Sequence, residues 1–291
     1  MMAEDVGQVY VSTACLPGND PILARLSLYE QHGLHAIELG AGVTVSKREL
    51  EKISRTCCSY LVHNYFPPPI EPFVLNLASR DEIIRNRSLD LVRQALTLCK
   101  QLGSPFYSVH GGFITDPKSF GKSSFIFPMP RSSSEAEEAM NRFVSSLEVV
   151  TQYADSLGIK LLVENNVCPP HLKGKLLFMD ADDFEQIFRA IASPSLGILL
   201  DTGHLNVTAR TLNFDRLSFV DCLSPYIRAF HVHDNNGYED DHYPARKDSW
   251  VIEVLRKPYF ADMPVVIEAR FNTVKDLSRY SRVLKSTINR G

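Results

Sequence analysis

Six short apolar runs in this chain end in a group that can bind a cation or carry a proton. They read Leu-Val-His63, Ser-Val-His110, Leu-Leu-Val-Glu164, Leu-Leu-Asp201, Phe-His231 and Val-Val-Ile-Glu268. One imidazole or carboxylate at the end of a buried run is an ordinary structural group. Six gathered in one place would carry a heavy desolvation cost unless they shared a cation. The set offers oxygen and nitrogen donors without sulfur, which suits Mn²⁺, Zn²⁺, Co²⁺ or Fe²⁺ and argues against a thiolate zinc site. Asp201-Thr-Gly-His204 adds an imidazole just past its run, with Gly203 read as the residue that permits a tight turn. His231 and His233 stand two apart in an extended segment and so face the same side. One of the pair is placed to ligate; for the other, a hydrogen-bonding role at the rim is equally open.

Runs rich in β-branched and aromatic residues alternate with stretches of helical period, the pattern of repeated βα units. Strands are expected near 9–12, 36–39, 60–63, 106–110, 160–164, 196–201, 227–233 and 265–268. Helices are expected near 20–32, 46–56, 80–102, 134–157, 181–192, 212–222, 248–256 and 273–287. In the 80–102 stretch Ile83, Ile84, Leu91, Leu98 and Leu102 recur near helical spacing, and Gly103 can end the helix. Eight strands and eight helices fit a closed (β/α)8 TIM barrel better than an open sheet. The six groups then stand at strand C-termini, the face on which barrels carry their chemistry. No repeat, low-complexity tract or linker divides the chain, so residues 1–291 are expected to form a single TIM-barrel domain. Two long connections follow strand ends: 64–79, with Pro67-Pro68-Pro69 and Pro72, and 111–133, with Gly111-Gly112. They read as lid or substrate loops, or as plain surface excursions.

Composition narrows the classes. Of 291 residues, 44% are hydrophobic and 22% charged, enough to bury a large core, which argues against a disordered tail or a fibre. Lys and Arg number 31 against 34 Asp and Glu, a net charge of −3. A nucleic-acid partner calls for a basic face that neutralises several phosphates, and here only isolated pairs such as Arg246-Lys247 and Arg256-Lys257 occur. The six Cys are scattered without a Cys-x-x-Cys pair. The opening Met-Met-Ala-Glu-Asp-Val lacks a basic region followed by an apolar one, and no apolar run approaches the ~20 residues of a membrane helix. A cytoplasmic location and no membrane partner are therefore expected. No P-loop or Gly-x-Gly-x-x-Gly follows a strand, so a nucleotide cofactor is not indicated. A homo-oligomer stays open.

Taken in order, Val-Glu164-Asn, Asp201-Thr-Gly-His204, His231-Val-His233-Asp, Asp240-Asp241-His242 and Ile-Glu268-Ala-Arg270 resemble the xylose isomerase-like barrel superfamily. The likeness runs from about residue 9 to 268. That group includes sugar isomerases and epimerases, inosose dehydratases and metal-dependent AP endonucleases of the endonuclease IV type. The resemblance implies a divalent ion held by Glu164, Asp201, His231 and Glu268. His231 is preferred to His233 because the family's ligand lies three residues before the Asp234 position. It also implies that Glu164 and Glu268 exchange protons with a small sugar through an enediolate. His204 would bind a substrate oxygen and Arg270 a hydroxyl or phosphate, though a rim salt bridge is equally open for Arg270.

The endonuclease branch binds three zinc ions, and the positions similar to its extra ligands are filled by His63, His110, His204, Asp240 and His242. The chain departs from that branch after His63, where Asn64-Tyr-Phe-Pro-Pro-Pro69 replaces the shorter segment that enters DNA. It departs again after His242, where Pro-Ala-Arg-Lys-Asp lacks the glycines usual in both branches. The first departure, with the acidic charge, favours a metal-dependent sugar or sugar phosphate isomerase or epimerase. The AP endonuclease, an inosose-type dehydratase and a non-catalytic barrel are the alternatives.

Overall fold

Which side chains enter a barrel is decided by alternation along its strands. The computed structural model describes residues 8–18, 20–40, 45–120, 125–130, 132 and 134–288. The N-terminal Met-Met-Ala-Glu-Asp-Val and parts of the 111–133 connection lie outside these described residues. The strands are β1 (Val9–Ser12), β2 (Ala36–Leu39), β3 (Ser59–His63), β4 (Phe106–His110), β5 (Ser119–Phe120), β6 (Phe125–Ile126), β7 (Lys160–Glu164), β8 (Leu196–Asp201), β9 (Ile227–Val232) and β10 (Val265–Ile267). All but β5 and β6 are parallel and close in the order β1-β10-β9-β8-β7-β4-β3-β2, a (β/α)8 barrel. The eight expected strands match these within a residue at each end. The β5–β6 hairpin lies inside the second long connection, where no strand was expected.

Two layers fill the inside of the barrel. Tyr10, Leu61, Phe106, Leu162, Leu199, Ala229 and Val266 form a buried apolar plug, against which Ala36 packs. Two residues further along the same strands stand Ser12, Glu38, His63, Ser108, Glu164, Asp201, His231 and Glu268. A step of two returns a side chain to the same face, so every strand passes from an apolar to a polar group on its inner side. The residues between them, such as Val11, Ile37, Val62, Tyr107, Val163, Leu200, Phe230 and Ile267, face outward into the main core under the helices. Each such burial is worth roughly 1.5–3 kcal/mol, so the outer faces hold the strands firmly in register. That register sets Glu164 beside His110 and Asp201 beside His231.

The helices are α1 (Ile22–Gln31), α2 (Lys47–Ile53), α3 (Glu82–Leu102), α4 (Ser134–Leu157), α5 (Ala181–Ala190), α6 (Thr202–Leu212), α7 (Arg216–Leu223), α8 (Trp250–Leu255) and α9 (Val274–Ile288). In α3, Asp81 accepts hydrogen bonds from the Ile83 and Ile84 amides, and Gly103 closes the helix at φ 68°. Its buried face runs through Leu91, Ala95, Leu98 and Cys99, whereas Ile83 is exposed and lies outside that face.

Among the helices, α6 departs from expectation. The chain does not turn at Gly203: it enters α6, with the Asp201 carboxylate accepting the His204 amide at 2.7 Å as the cap. The glycine answers a different need. A Cβ at position 203 would lie 1.9 Å from His233 Cε1, so only a bare backbone lets the helix start beneath that ring.

Candidate metal centre

His231 sits at the middle of the polar layer, fully buried. Its Nε2 is 2.8 Å from Glu38 Oε2. Its Nδ1 looks the other way, 3.3 Å from Glu164 Oε1, 3.5 Å from Glu268 Oε2 and 3.7 Å from Asp201 Oδ2. Nδ1 and both Glu164 oxygens are buried and make no hydrogen bond. Buried polar atoms are ordinarily satisfied, so such a convergence of unmet donors fits a cation. The residues expected to hold the metal are thus brought together.

Further groups adjoin this centre. His63 Nε2 and His110 Nε2 lie 3.6 and 3.5 Å from Glu164 Oε2 and 3.3 Å from each other. Toward the mouth, His204 Nε2 and His242 Nε2 lie 3.6 and 3.1 Å from Asp240 Oδ2. Among the described residues, ligand atoms of His63, His110 and Glu164, and of Glu164, Asp201 and His231, each fall within 4.8 Å of one another. The layout can hold more than one ion.

The far nitrogens make a pattern. His63 Nδ1 is 2.9 Å from Ser108 Oγ, His204 Nδ1 is 2.9 Å from the Asn165 carbonyl, and His242 Nδ1 is 3.1 Å from the Glu268 carbonyl. For His63 and His242 the partner holds one nitrogen and turns the other toward the carboxylates, the arrangement that orients a metal-binding imidazole, whereas His204 keeps its Nδ1 3.4 Å from Glu164 Oε1 and turns Nε2 to Asp240 at the mouth. His233 differs. Its Nε2 contacts Asp201 Oδ1 at 3.0 Å, its Nδ1 is buried without a partner, and its ring stacks on His242. It faces the same side as His231, as expected, but it grips a carboxylate. Arg270 is exposed at the rim, where its amide donates to the His242 carbonyl at 2.9 Å.

Charge in the cluster is distributed by competition between burial and neighbours. Burial pushes the Glu164 carboxyl up, but His110, His231 and His63 outweigh it and hold it well below the usual range. Burial also raises Asp201, and His204 and His233 reverse that, leaving it lowered. Burial alone would lower His204 and His231. Asp201, Asp240 and Glu164 raise the first, and Glu268, Glu38 and Glu164 the second, so both stand well above the ordinary imidazole value. His63 goes the other way: burial dominates and takes it to about 3.

Glu38 and Ser108 were not among the expected site residues. Both belong to the inward layer but not to a strand's last position, and attention to strand ends passed them over. The signal was the two-residue step: Ala36 to Glu38 and Phe106 to Ser108 repeat the step from Leu162 to Glu164. The connection 64–79 is partly anchored, with Phe66, Leu75, Leu77 and Ala78 buried and Ile70 exposed at its tip. In the second connection Phe113, Phe125 and Phe127 cluster over Cys168, Leu172 and Leu176.

Known proteins resemble this chain at both levels. A fructoselysine 3-epimerase of Escherichia coli O157:H7 is 22% identical over 188 residues, 61% of this chain and 56% of that protein. A probable endonuclease 4 of Aquifex aeolicus is 26% identical over 212 residues, 68% of each chain. A crystal structure of a D-tagatose 3-epimerase-like protein superposes with a TM-score of 0.75 over 97% of both chains at 24% identity, a likeness of fold. The chain spans between about half and two thirds of the length of the first curated relatives it matches. The model of one family, described as the xylose isomerase-like TIM barrel, matches residues 26–285, and the chain belongs to that family.

Proposed function

We propose that this chain is a divalent-metal-dependent isomerase or epimerase of a sugar or sugar phosphate. The observation that carries the reading is the approach of Glu164 and Glu268 to His231 Nδ1, at 3.3 and 3.5 Å, from strands separated by two others in the barrel. Two carboxylates so placed reach a bound substrate from different sides. A divalent ion held by Glu164, Asp201, His231 and Glu268 would supply Lewis-acid polarisation of a substrate carbonyl and its neighbouring hydroxyl. Glu164, held ionised by the imidazoles around it, removes the proton from the carbon beside the carbonyl. Glu268, the more open of the pair, returns one drawn from solvent on the other face. His204 Nε2, turned toward the mouth beside Asp240, meets a substrate oxygen, and the exposed Arg270 holds a hydroxyl or phosphate at the rim. The relative named as a fructoselysine 3-epimerase supports this substrate class.

A second reading, phosphodiester hydrolysis of the endonuclease type, is favoured by one observation. His63 and His110 around Glu164, and His204 and His242 around Asp240, add donor groups beyond the four an isomerase needs. The acidic net charge of −3 weighs against it. A panel of free and phosphorylated ketoses, incubated with Mn²⁺ or Co²⁺ in deuterated water, tests the first reading. Deuterium beside the carbonyl of the product supports it. A water-loss product would indicate a dehydratase. Three bound zinc ions per chain together with incision of an abasic duplex would replace it with the nuclease.

A further inference from the structure

We infer that Glu38 is a positioning residue that assigns the donor nitrogen of His231 and so sets the affinity of the inner cation site. The inference rests on the metal-dependent reading above and extends it to a residue from the second strand.

Three observations converge on it. Glu38 and His231 are both wholly buried, and Glu38 Oε2 lies 2.8 Å from His231 Nε2. That separation is a hydrogen bond, and Glu38 lies on the Nε2 side of the ring, away from the three carboxylates that face Nδ1, so it is a partner of the imidazole and not a ligand of an ion held there. A carboxylate only accepts, so Nε2 carries the hydrogen and donates it. The lone pair of the neutral ring is then on Nδ1, which has no hydrogen-bond partner and faces Glu164, Glu268 and Asp201.

The placement follows from strand alternation. Glu38 stands two residues after Ala36 in β2, at the level where each of the other strands also presents a polar group. Ser108 does for His63 what Glu38 does for His231, but with a neutral hydroxyl. The charged partner thus falls to an imidazole whose other nitrogen faces three further carboxylates. A charge on the far side of a ligating ring raises its donor strength as well as fixing its orientation.

Two variants of the full chain test this. Glu38→Leu removes the acceptor. Glu38→Gln keeps the shape and an oxygen that can still accept from Nε2, and removes only the charge. The readouts are Co²⁺ affinity by competition with a chelating dye, the visible Co²⁺ spectrum, the His231 tautomer by long-range ¹H–¹⁵N NMR of the metal-free protein on the alkaline side where the ring is neutral, and its melting temperature. Glu38→Leu is expected to weaken Co²⁺ on the order of 10–100-fold, to change the Co²⁺ spectrum, and to lose the single Nε2–H tautomer. Glu38→Gln should keep the tautomer and lose about tenfold. A role confined to packing would lower the melting temperature and leave the spectrum and tautomer alone, which overturns the inference. Unchanged Co²⁺ affinity in both variants overturns it too. Should Glu38→Leu not fold, the Glu38→Gln affinity decides between the two outcomes. Failure of the wild-type protein to take up any divalent ion removes the metal-dependent reading itself, and is seen before either variant is made.

Discussion

The apolar plug and the polar layer above it are made by the same eight strands, one two-residue step apart. Leu162 and Glu164, Leu199 and Asp201, Ala229 and His231 share a strand, a face and nearly the same burial. Their energetics are opposite. The plug gains by leaving water and asks nothing more of its neighbours. The polar layer loses hydration and recovers it only through ion pairs, imidazole hydrogen bonds and, on our reading, a cation. A barrel can therefore hold a costly reactive cluster because the layer beneath it, and the outer faces of the same strands, supply the stability.

The division of labour makes predictions, and the largest concerns the reactive end. Glu268→Gln keeps an oxygen that can face the ion but cannot shuttle a proton. Turnover on the active sugar should fall on the order of 10²–10⁴-fold with most of the metal retained, measured by steady-state kinetics beside metal analysis. Loss of metal in parallel with activity would make Glu268 a ligand alone.

Leu199→Ala tests the other layer. Truncation of this fully buried side chain should cost about 2–5 kcal/mol in denaturant unfolding, with metal content per chain unchanged. Metal loss without a change in stability would break the separation of the layers.

Asp201→Asn should do the reverse. The amide still caps α6, as Asn does well, but the charge that favours a cation is gone. Divalent-ion affinity should drop on the order of a hundredfold, with the metal-free fold intact by circular dichroism. Undiminished binding would remove Asp201 from the ligand set.

A smaller effect is expected from pH. His204 and His231 stand above the ordinary imidazole value in the metal-free protein and so carry protons at neutral pH. An incoming ion must displace those protons, so affinity should weaken as pH falls, and calorimetry in buffers of different ionisation enthalpy should register proton release. His63, near 3, is already neutral and releases none. The sign for stability follows from the same shifts. Stabilisation by the two raised imidazoles is complete below about pH 6.5 and is lost as pH rises through their folded values. The metal-free protein should therefore lose stability on the alkaline side, and the loaded protein should not.

Much of this molecule was legible before folding. The eight strands follow from short apolar runs between helical stretches, and six of the polar groups stand at their ends. Glu38 was hidden because it is followed by Leu39, so β2 does not end on a polar residue. The α6 helix was hidden because Asp-Thr-Gly-His reads as a turn, and a glycine near a strand end invites that reading. The short β5–β6 hairpin has only two residues a strand, too few to register a period.

By itself the sequence determined the alternation that sends apolar and polar side chains inward at successive levels, since a period of two is a local property of extended backbone. It also determined the kinds of donor available. Tertiary structure alone decided which nitrogen of each imidazole faces inward. That choice belongs to partners far away in the chain: Glu38 for His231 across 193 positions, Ser108 for His63 across 45 and the Glu268 carbonyl for His242 across 26. Only closure of the barrel brings such pairs to hydrogen-bond distance. It decided the role of Gly203 in the same way, because the crowding there comes from His233, a residue on the next strand's end and not from the glycine's own neighbours in sequence.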